Sequence, residues 1–293
     1  MISVIVPVYN EEAVVASSLE SISKELEGFV EHEIIAVNDG STDNSLAAMQ
    51  KLKIKNLSIL NHVENLGYGK ALFDGILTAK YDCIAIIDSD GSYPASQIRK
   101  LCEFYPKYDM VVGARTGKEY KKGIFKRPAR TVFNFLVEYA CGRKVPDVNS
   151  GLRIFRKDAI LKFKDSLCLG FSFTTTITLI FFLNQYYVKY VPIEYFKREG
   201  KSKVNHVRDS LRAGQIIVQT ILYYNPVKLL LLMALLNFIF GAVAGILNHL
   251  FFKIGVISIF SAICMASFVP LLCVGFIADQ LKQIYKSVKE IKN

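Results

Sequence analysis

Two aspartates separated by one residue, Asp88 and Asp90, stand at the end of the apolar run CIAIID and just beyond it. Paired carboxylates leaving a buried strand suit a hard divalent cation. Mg²⁺ or Mn²⁺ prefers oxygen ligands and keeps positions for water and phosphate, so the chemistry implied is metal-assisted binding of a diphosphate. Other apolar runs end in the same way. ISVIVPV is followed by Tyr9, Asn10 and Glu11, and EIIAV by Asn38, Asp39, Gly40, Ser41, Thr42 and Asp43. MVVGA leads into Arg115. One such end is ordinary turn chemistry, but three carboxylate-bearing ends and an arginine predict a polar site along one edge. The stretch Gly67-Tyr68-Gly69-Lys70 is not a P-loop, because Glu64 stands at the first glycine and Ala71 at the Ser/Thr position. It is not a dinucleotide fingerprint either, since Leu72 takes the third glycine's place.

The elements that must position these residues follow from pattern. ISVIVPV, EIIAV, LSIL, CIAIID and MVVGA are strand-like, rich in Val and Ile. Helical spacing fills 11–27, 43–52, 70–79 and 95–104. Alternating strands and helices with near-continuous apolar strands predict an α/β fold with a mostly parallel sheet covered on both faces. Ligands then bind beyond the carboxyl ends of the strands, where the polar residues lie.

The chain has 293 residues, 52% of them hydrophobic, and a formal charge of +10. Its mean hydropathy is +0.29. The apolar excess gathers at the end, in charge-free runs over about 229–252 and 254–278 with Lys253 between them. Each is long enough to cross a bilayer, which predicts a transmembrane hairpin. Arg208, Arg212 and Lys228 precede it, and Lys282, Lys286, Lys289 and Lys292 follow it. The positive-inside rule therefore places both termini and the soluble part in the cytoplasm, on an inner or plasma membrane or the endoplasmic reticulum. Pro270 predicts a kink in the second span. Residues 204–226 mix Arg208, Asp209 and Arg212 with Val207, Leu211, Ile216, Ile217 and Ile221. That pattern predicts an amphipathic helix in the membrane interface, with Tyr223 and Tyr224 as anchors. The expected layout is 1–203 cytosolic, 204–226 interfacial, 227–281 membrane hairpin and 282–293 a basic tail. The start MISVIVPVYN lacks a basic n-region and is not read as a signal peptide. The six cysteines form no C-x-x-C pair and read as free thiols in a reducing compartment. Small residues Gly241, Ala244 and Gly245 in the first span either pack helix against helix, as in a homo-oligomer, or simply reflect composition.

VIVPVYNEE, VNDGSTDNS, ENLGYGKA and DSD, in that order, resemble the family-two glycosyltransferases with the GT-A fold, Rossmann-like with a mostly parallel sheet. DVNSGLRIFRKD, FSFTTTITL and VPIEYFKREGKSKV, followed by two apolar spans, narrow the likeness to polyprenyl-phosphate glycosyltransferases such as the dolichyl-phosphate mannose synthases and bactoprenol glucosyltransferases. The resemblance implies a nucleotide-sugar donor and a polyprenyl phosphate acceptor. It implies that Pro7, Tyr9, Glu11 and Asp39 cradle the base and ribose, with Lys70 near the nucleotide. Asp88 and Asp90 would bind Mg²⁺ or Mn²⁺ and the donor diphosphate, and Asp147 would lie near the acceptor. Arg115, Arg130 and Arg198 would hold phosphate, with Lys203 beside them; Arg127 is an equal candidate to Arg130 by spacing. The mannose synthases often read D-x-D-x-Q, whereas here Ser92 takes the glutamine's place.

Arg198, Lys201 and Lys203 lie just before the expected interfacial helix, where arginine can grip a lipid phosphate bidentately. Such a phosphate is already anionic near neutral pH, so transfer with inversion needs no strong base. A hydroxyl acceptor, on a glycolipid or lipid-linked sugar, is the alternative and would require one. Lys118, Lys121 and Lys122 sit in a glycine-flanked stretch that either covers the site or is a solvated loop. With no tryptophan, the chain cannot carry the Q-x-x-R-W motif of processive polysaccharide synthases. Of the ten net positive charges, four lie from Pro226 onward. Basic residues around the membrane entry favour lipid phosphate over nucleic acid, whose readers interleave basic and aromatic side chains.

Overall fold

A computed structural model describes residues 1–117, 127–164, 167, 173–198, 214–215 and 218–292. The chain forms two compact units, Met1–Ile216 and Ile217–Asn293.

The first unit is built on one seven-stranded sheet. Its strands are β1 (Ile2–Val8), β2 (His32–Asp39), β3 (Leu57–His62), β4 (Cys83–Ile86), β5 (Met110–Thr116), β6 (Arg153–Arg156) and β7 (Val188–Glu194). Their order is β3-β2-β1-β4-β6-β5-β7. All contacts are parallel except those of β6, which runs antiparallel to both β4 and β5. Between the strands lie α1 (Val15–Leu26), α2 (Ser45–Gln50), α3 (Tyr68–Thr78) and α4 (Gln97–Cys102). Later come α5 (Arg127–Cys141), α6 (Lys157–Leu161) and α7 (Phe173–Leu183).

Every residue of β1 is buried, because helices cover both faces. Ile2, Val4, Val6 and Val8 pack with Val15, Leu19, Ile22 and Leu26 of α1 and with Ile98 and Leu101 of α4. Each such side chain contributes about 1.5–3 kcal/mol on burial. On the other face Gly75 of α3 lies so near Ile5 and Val37 that a Cβ would approach them to 2.5 and 3.1 Å.

Helix α1 starts four residues later than its spacing predicts. Residues 10–12 are drawn instead onto the turn after β2: Asn10 N donates to Ser41 Oγ at 2.9 Å and Glu11 N to Ser45 Oγ at 2.8 Å. Strand β6 was not expected. It is four residues long, with arginine at both ends, and lacks the apolar run that marks the parallel strands.

The second unit is a helical hairpin. Residues 218–224 are helical; most of the expected interfacial helix lies outside the described residues. Then come α8 (Pro226–Leu247), a π-helical turn at Asn248–Phe252, α9 (Gly255–Ala266) and α10 (Phe268–Lys292). Pro226–Phe252 and Gly255–Tyr285 are each long and apolar enough to cross a membrane. Most of their Leu, Ile and Phe side chains are exposed, as lipid-facing residues would be.

Asn248 closes the turn. Its amide donates to Ile254 O and Ser258 Oγ and accepts from Ile254 N, while Lys253 takes a left-handed φ of 54°. Gly241 and Gly245 face Ser261 of α9, so these two glycines pack within the chain. The second span is interrupted at Ser267. Pro270 cannot donate to Ala266 O and crowds it, and the Ser267 hydroxyl turns back to Cys264 O at 2.7 Å. The expected basic tail continues α10 as helix. Among the described residues Cys83, Cys102, Cys141, Cys264 and Cys273 are free thiols. Burial pushes the Cys83 thiol up to about 12.

Candidate active site

The strand order reverses at β1, whose neighbours β2 and β4 lead away in opposite directions. In open α/β sheets such a switch point leaves a crevice beyond the strand ends. There the Ser89 hydroxyl donates to Pro7 O at 3.0 Å, tying the end of β4 to the end of β1. The two motifs flanking the crevice are laced together. Thr42 N donates to Asn10 Oδ1 at 2.7 Å, and Asn44 N to Glu12 Oε2 at 3.0 Å. Tyr9, half-buried, and Glu11, buried, lie in this loop.

Asp39 is buried at the end of β2 and organises the neighbouring loop. Its Oδ1 accepts from Leu66 N and faces His62 Nδ1, both at 2.9 Å, and its Oδ2 accepts from Gly67 N at 2.9 Å. Gly40 has a positive φ of 64°, and a Cβ there would lie 2.3 Å from the Glu64 carbonyl carbon, so only glycine lets these loops approach. His62 Nε2 lies 3.2 Å from Asp74 Oδ2, and Lys70 Nζ sits on Asp74 Oδ1 at 2.5 Å. The lysine expected near the nucleotide thus belongs to a chain running Asp39, His62, Asp74, Lys70.

Asp88 and Asp90 sit just beyond β4. Tyr68 donates its hydroxyl to Asp88 Oδ1 at 2.9 Å. Burial, and then the charge of Asp90, raise the Asp88 carboxyl to about 6. Burial and then Asp88 raise the Tyr68 phenol well above its ordinary value. Ser92, in the glutamine's place, holds Asp90 in a tight turn. Its N and Oγ donate to Asp90 Oδ1 at 3.0 and 2.5 Å. Asp90 Oδ2 lies 3.3 Å from Arg198 Nε, and Arg198 also pairs with Glu11. The arginine expected on phosphate therefore bridges two of the carboxylates expected on nucleotide and metal.

Arg115 and Asp147 come together. The guanidinium grips the carboxylate side-on, Nε to Oδ2 at 2.7 Å and Nη2 to Oδ1 at 2.8 Å, while Arg115 N donates to Oδ2 at 3.1 Å. Asp147 is 2% exposed. The same guanidinium stands 5.3 Å over the Tyr195 ring. Arg130 is in α5, but its side chain, like that of Arg127, lies outside the described residues, as do Lys118, Lys121, Lys122, Lys201 and Lys203.

The donor set fits a hard divalent cation. It is all oxygen, and its first member is a half-buried carboxylate beside a second, buried one, a pair whose joint charge is disfavoured without a counter-ion. Among the described residues no cluster of three or more acidic, His or Cys side chains could hold a metal by itself. Two carboxylates would share a cation with phosphate and water, as Mg²⁺ sites commonly do. Tyr68, Tyr93 and Arg153 also belong to the site, and sequence reading assigned them no role, although Tyr68 stands within ENLGYGKA and Arg153 within DVNSGLRIFRKD. Ser92 was read only as the residue in the glutamine's place.

Residues 3–163 match the model of glycosyl transferase family 2. The chain belongs to this family. Over 303 residues it is 26% identical to an undecaprenyl-phosphate 4-deoxy-4-formamido-L-arabinose transferase from Proteus mirabilis, covering 98% of this chain and 90% of that protein. A dolichyl-phosphate beta-glucosyltransferase from Trichomonas vaginalis is 29% identical over 177 residues, covering 54% of each chain. The fold matches glucosyl-3-phosphoglycerate synthase from Mycobacterium tuberculosis, solved with Mn²⁺, UDP and glucosyl-3-phosphoglycerate. That match has a TM-score of 0.60 at 18% identity, covering 75% of this chain and 80% of the other. The chain is thus a family-two glycosyltransferase with a GT-A-like α/β fold and a C-terminal pair of apolar helices.

Proposed function

We propose that this glycosyltransferase is membrane-bound and moves a sugar from a nucleotide diphosphate sugar to a polyprenyl phosphate, with inversion at the anomeric carbon. The observation that carries the reading is the end-to-end likeness to a relative named for an undecaprenyl-phosphate acceptor, a match that includes the apolar hairpin. The expected layout of a cytosolic domain, an interfacial segment from about residue 204, and a hairpin with both termini cytoplasmic belongs to this proposal.

The nucleotide lies in the crevice beyond β1 and β2. Pro7, Tyr9 and Glu11 line one side, and Asp39 acts by holding the 62–67 loop in place. Asp88 and Asp90 would hold Mg²⁺ or Mn²⁺, which supplies positive charge against the departing diphosphate. Ser92 and Tyr68 each occupy one oxygen of these carboxylates and so orient the other. The acceptor phosphate is its own nucleophile and already carries charge, so the site needs no strong base. Asp147 is suited to orientation rather than proton transfer, because Arg115 neutralises it. Arg198 is placed to leave Glu11 and Asp90 for an incoming phosphate, with Arg130 and Lys203 as further phosphate ligands.

The test is a screen of UDP- and GDP-linked sugars against polyprenyl phosphate, with and without EDTA, read as labelled lipid. A labelled lipid formed from one donor class and abolished by EDTA supports the reading. Labelling of water-soluble acceptors alone contradicts it.

A further inference from the structure

Arg153 opens β6, in register with Ile86 of β4 and Val112 of β5, and is fully buried at 0% exposure. Its Nε donates to Ser150 O at 2.8 Å and its Nη2 to Val148 O at 2.5 Å. Its Nη1 donates to Thr174 O at 3.0 Å and to Thr178 Oγ1 at 2.7 Å. None of these partners is a carboxylate. Burial lowers the guanidinium's proton affinity, and a buried charge without an anion at its side is strongly unfavourable. For packing alone, an apolar side chain of similar volume serves a strand better.

What the guanidinium supplies is donors. The stretch from Asp147 to Leu152 is irregular yet buried, apart from Asn149. The Leu152 carbonyl accepts from Gly113 N of β5 at 3.0 Å; the carbonyls before it have no sheet ladder to join and must find partners inside the protein. This stretch also forms one wall of the site. Asp147 holds Arg115. Ser150 Oγ donates to Gly113 O at 2.5 Å, and Gly151 N donates to Tyr93 Oη at 2.8 Å. Gly151 faces the Asp88 carboxylate with no room for a Cβ.

We propose that Arg153 is a positioning residue for sugar transfer. By holding Val148 O, Ser150 O and Thr174 O at once, it fixes the 147–151 wall, and with it the Arg115–Asp147 pair and the space beside Asp88. The kinetic half of this proposal assumes the transfer reaction proposed above; the structural half does not.

Arg153→Lys in the full-length protein is the test. Lysine keeps the charge but donates from one nitrogen and cannot span carbonyls on both sides. Hydrogen exchange at the 147–151 amides should quicken while β1 and β2 exchange as before. Turnover should fall about a hundredfold, as small misplacements in active sites can cause, with the nucleotide-sugar KM little changed. Unchanged exchange in 147–151, or unchanged turnover in a well-folded lysine variant, overturns the proposal. If Arg153→Lys does not fold, Thr178→Val removes one acceptor and should shift both readouts in the same direction by less. No shift there overturns the proposal equally. If the unaltered protein transfers no sugar from any nucleotide donor, that failure falls on the proposed reaction, and exchange alone decides Arg153.

Discussion

Gly151 and Asp88 are in such close contact that a Cβ on Gly151 would lie 2.1 Å from Asp88 Oδ2 and 2.6 Å from its Cγ. The antiparallel approach to β6 thus presses bare backbone against the first aspartate of the pair. Glycine is required here for space.

Gly151→Ala should therefore displace the Asp88 carboxylate. Overpacking of this kind costs about 1–3 kcal/mol of stability, so the protein should still fold. Calorimetry should find the binding of the donor's nucleoside diphosphate, UDP or GDP as the donor screen assigns, with Mn²⁺ strongly weakened, and turnover should drop about a hundredfold. Wild-type binding in the alanine variant would show that Asp88 is not a ligand.

Asp90 receives both hydrogen bonds of Ser92 on one oxygen and faces Arg198 with the other. Asp90→Asn keeps the shape and removes the charge. Transfer should fall about a hundredfold or more, as removal of one electrostatic group from an active site does, while the melting temperature stays close to wild type. Normal turnover in this variant, with EDTA also harmless, would sink the metal–diphosphate proposal.

Arg198 pairs with Glu11 and Asp90, so its removal tests whether it serves donor or acceptor. Arg198→Ala should raise the KM for polyprenyl phosphate more than the KM for the nucleotide sugar. Equal loss of both would assign the arginine to holding the carboxylates together.

Much of this architecture was legible in the residues. β1, β2, β4 and β5 announce themselves as Val- and Ile-rich runs because parallel strands are buried on both faces. The charge-free C-terminal runs are equally plain, and the interruption near Pro270 follows from its missing N–H. The residues at the strand ends were readable as a polar site because ligand crevices in such sheets open there. What was not legible is pairing between distant segments. Nothing in the spacing of Arg115 and Asp147 says that they grip each other, or that Arg198 lies on Glu11, residues far apart along the chain. Arg153 was hidden for another reason: an arginine at a strand start reads as exposed, and only the tertiary fold shows four acceptors around it. Asp39 was read, through the resemblance, as one of the residues that cradle the base and ribose; its hold on the neighbouring loop is an addition to that reading. Its two oxygens hold backbone amides and His62, a role that depends on a loop folding back from β3.

The central claim is that the acceptor is a lipid phosphate rather than a lipid hydroxyl. The most direct measurement offers the purified full-length protein, in vesicles with its nucleotide sugar and Mn²⁺ or Mg²⁺, two lipids that differ only in one group: a polyprenyl phosphate and the matching polyprenol. Sugar transferred to the phosphate and not to the alcohol, released by mild acid as a sugar phosphate ester would be, is the predicted result. Transfer to the alcohol at a comparable rate, or only to a glycolipid added in their place, would contradict the account.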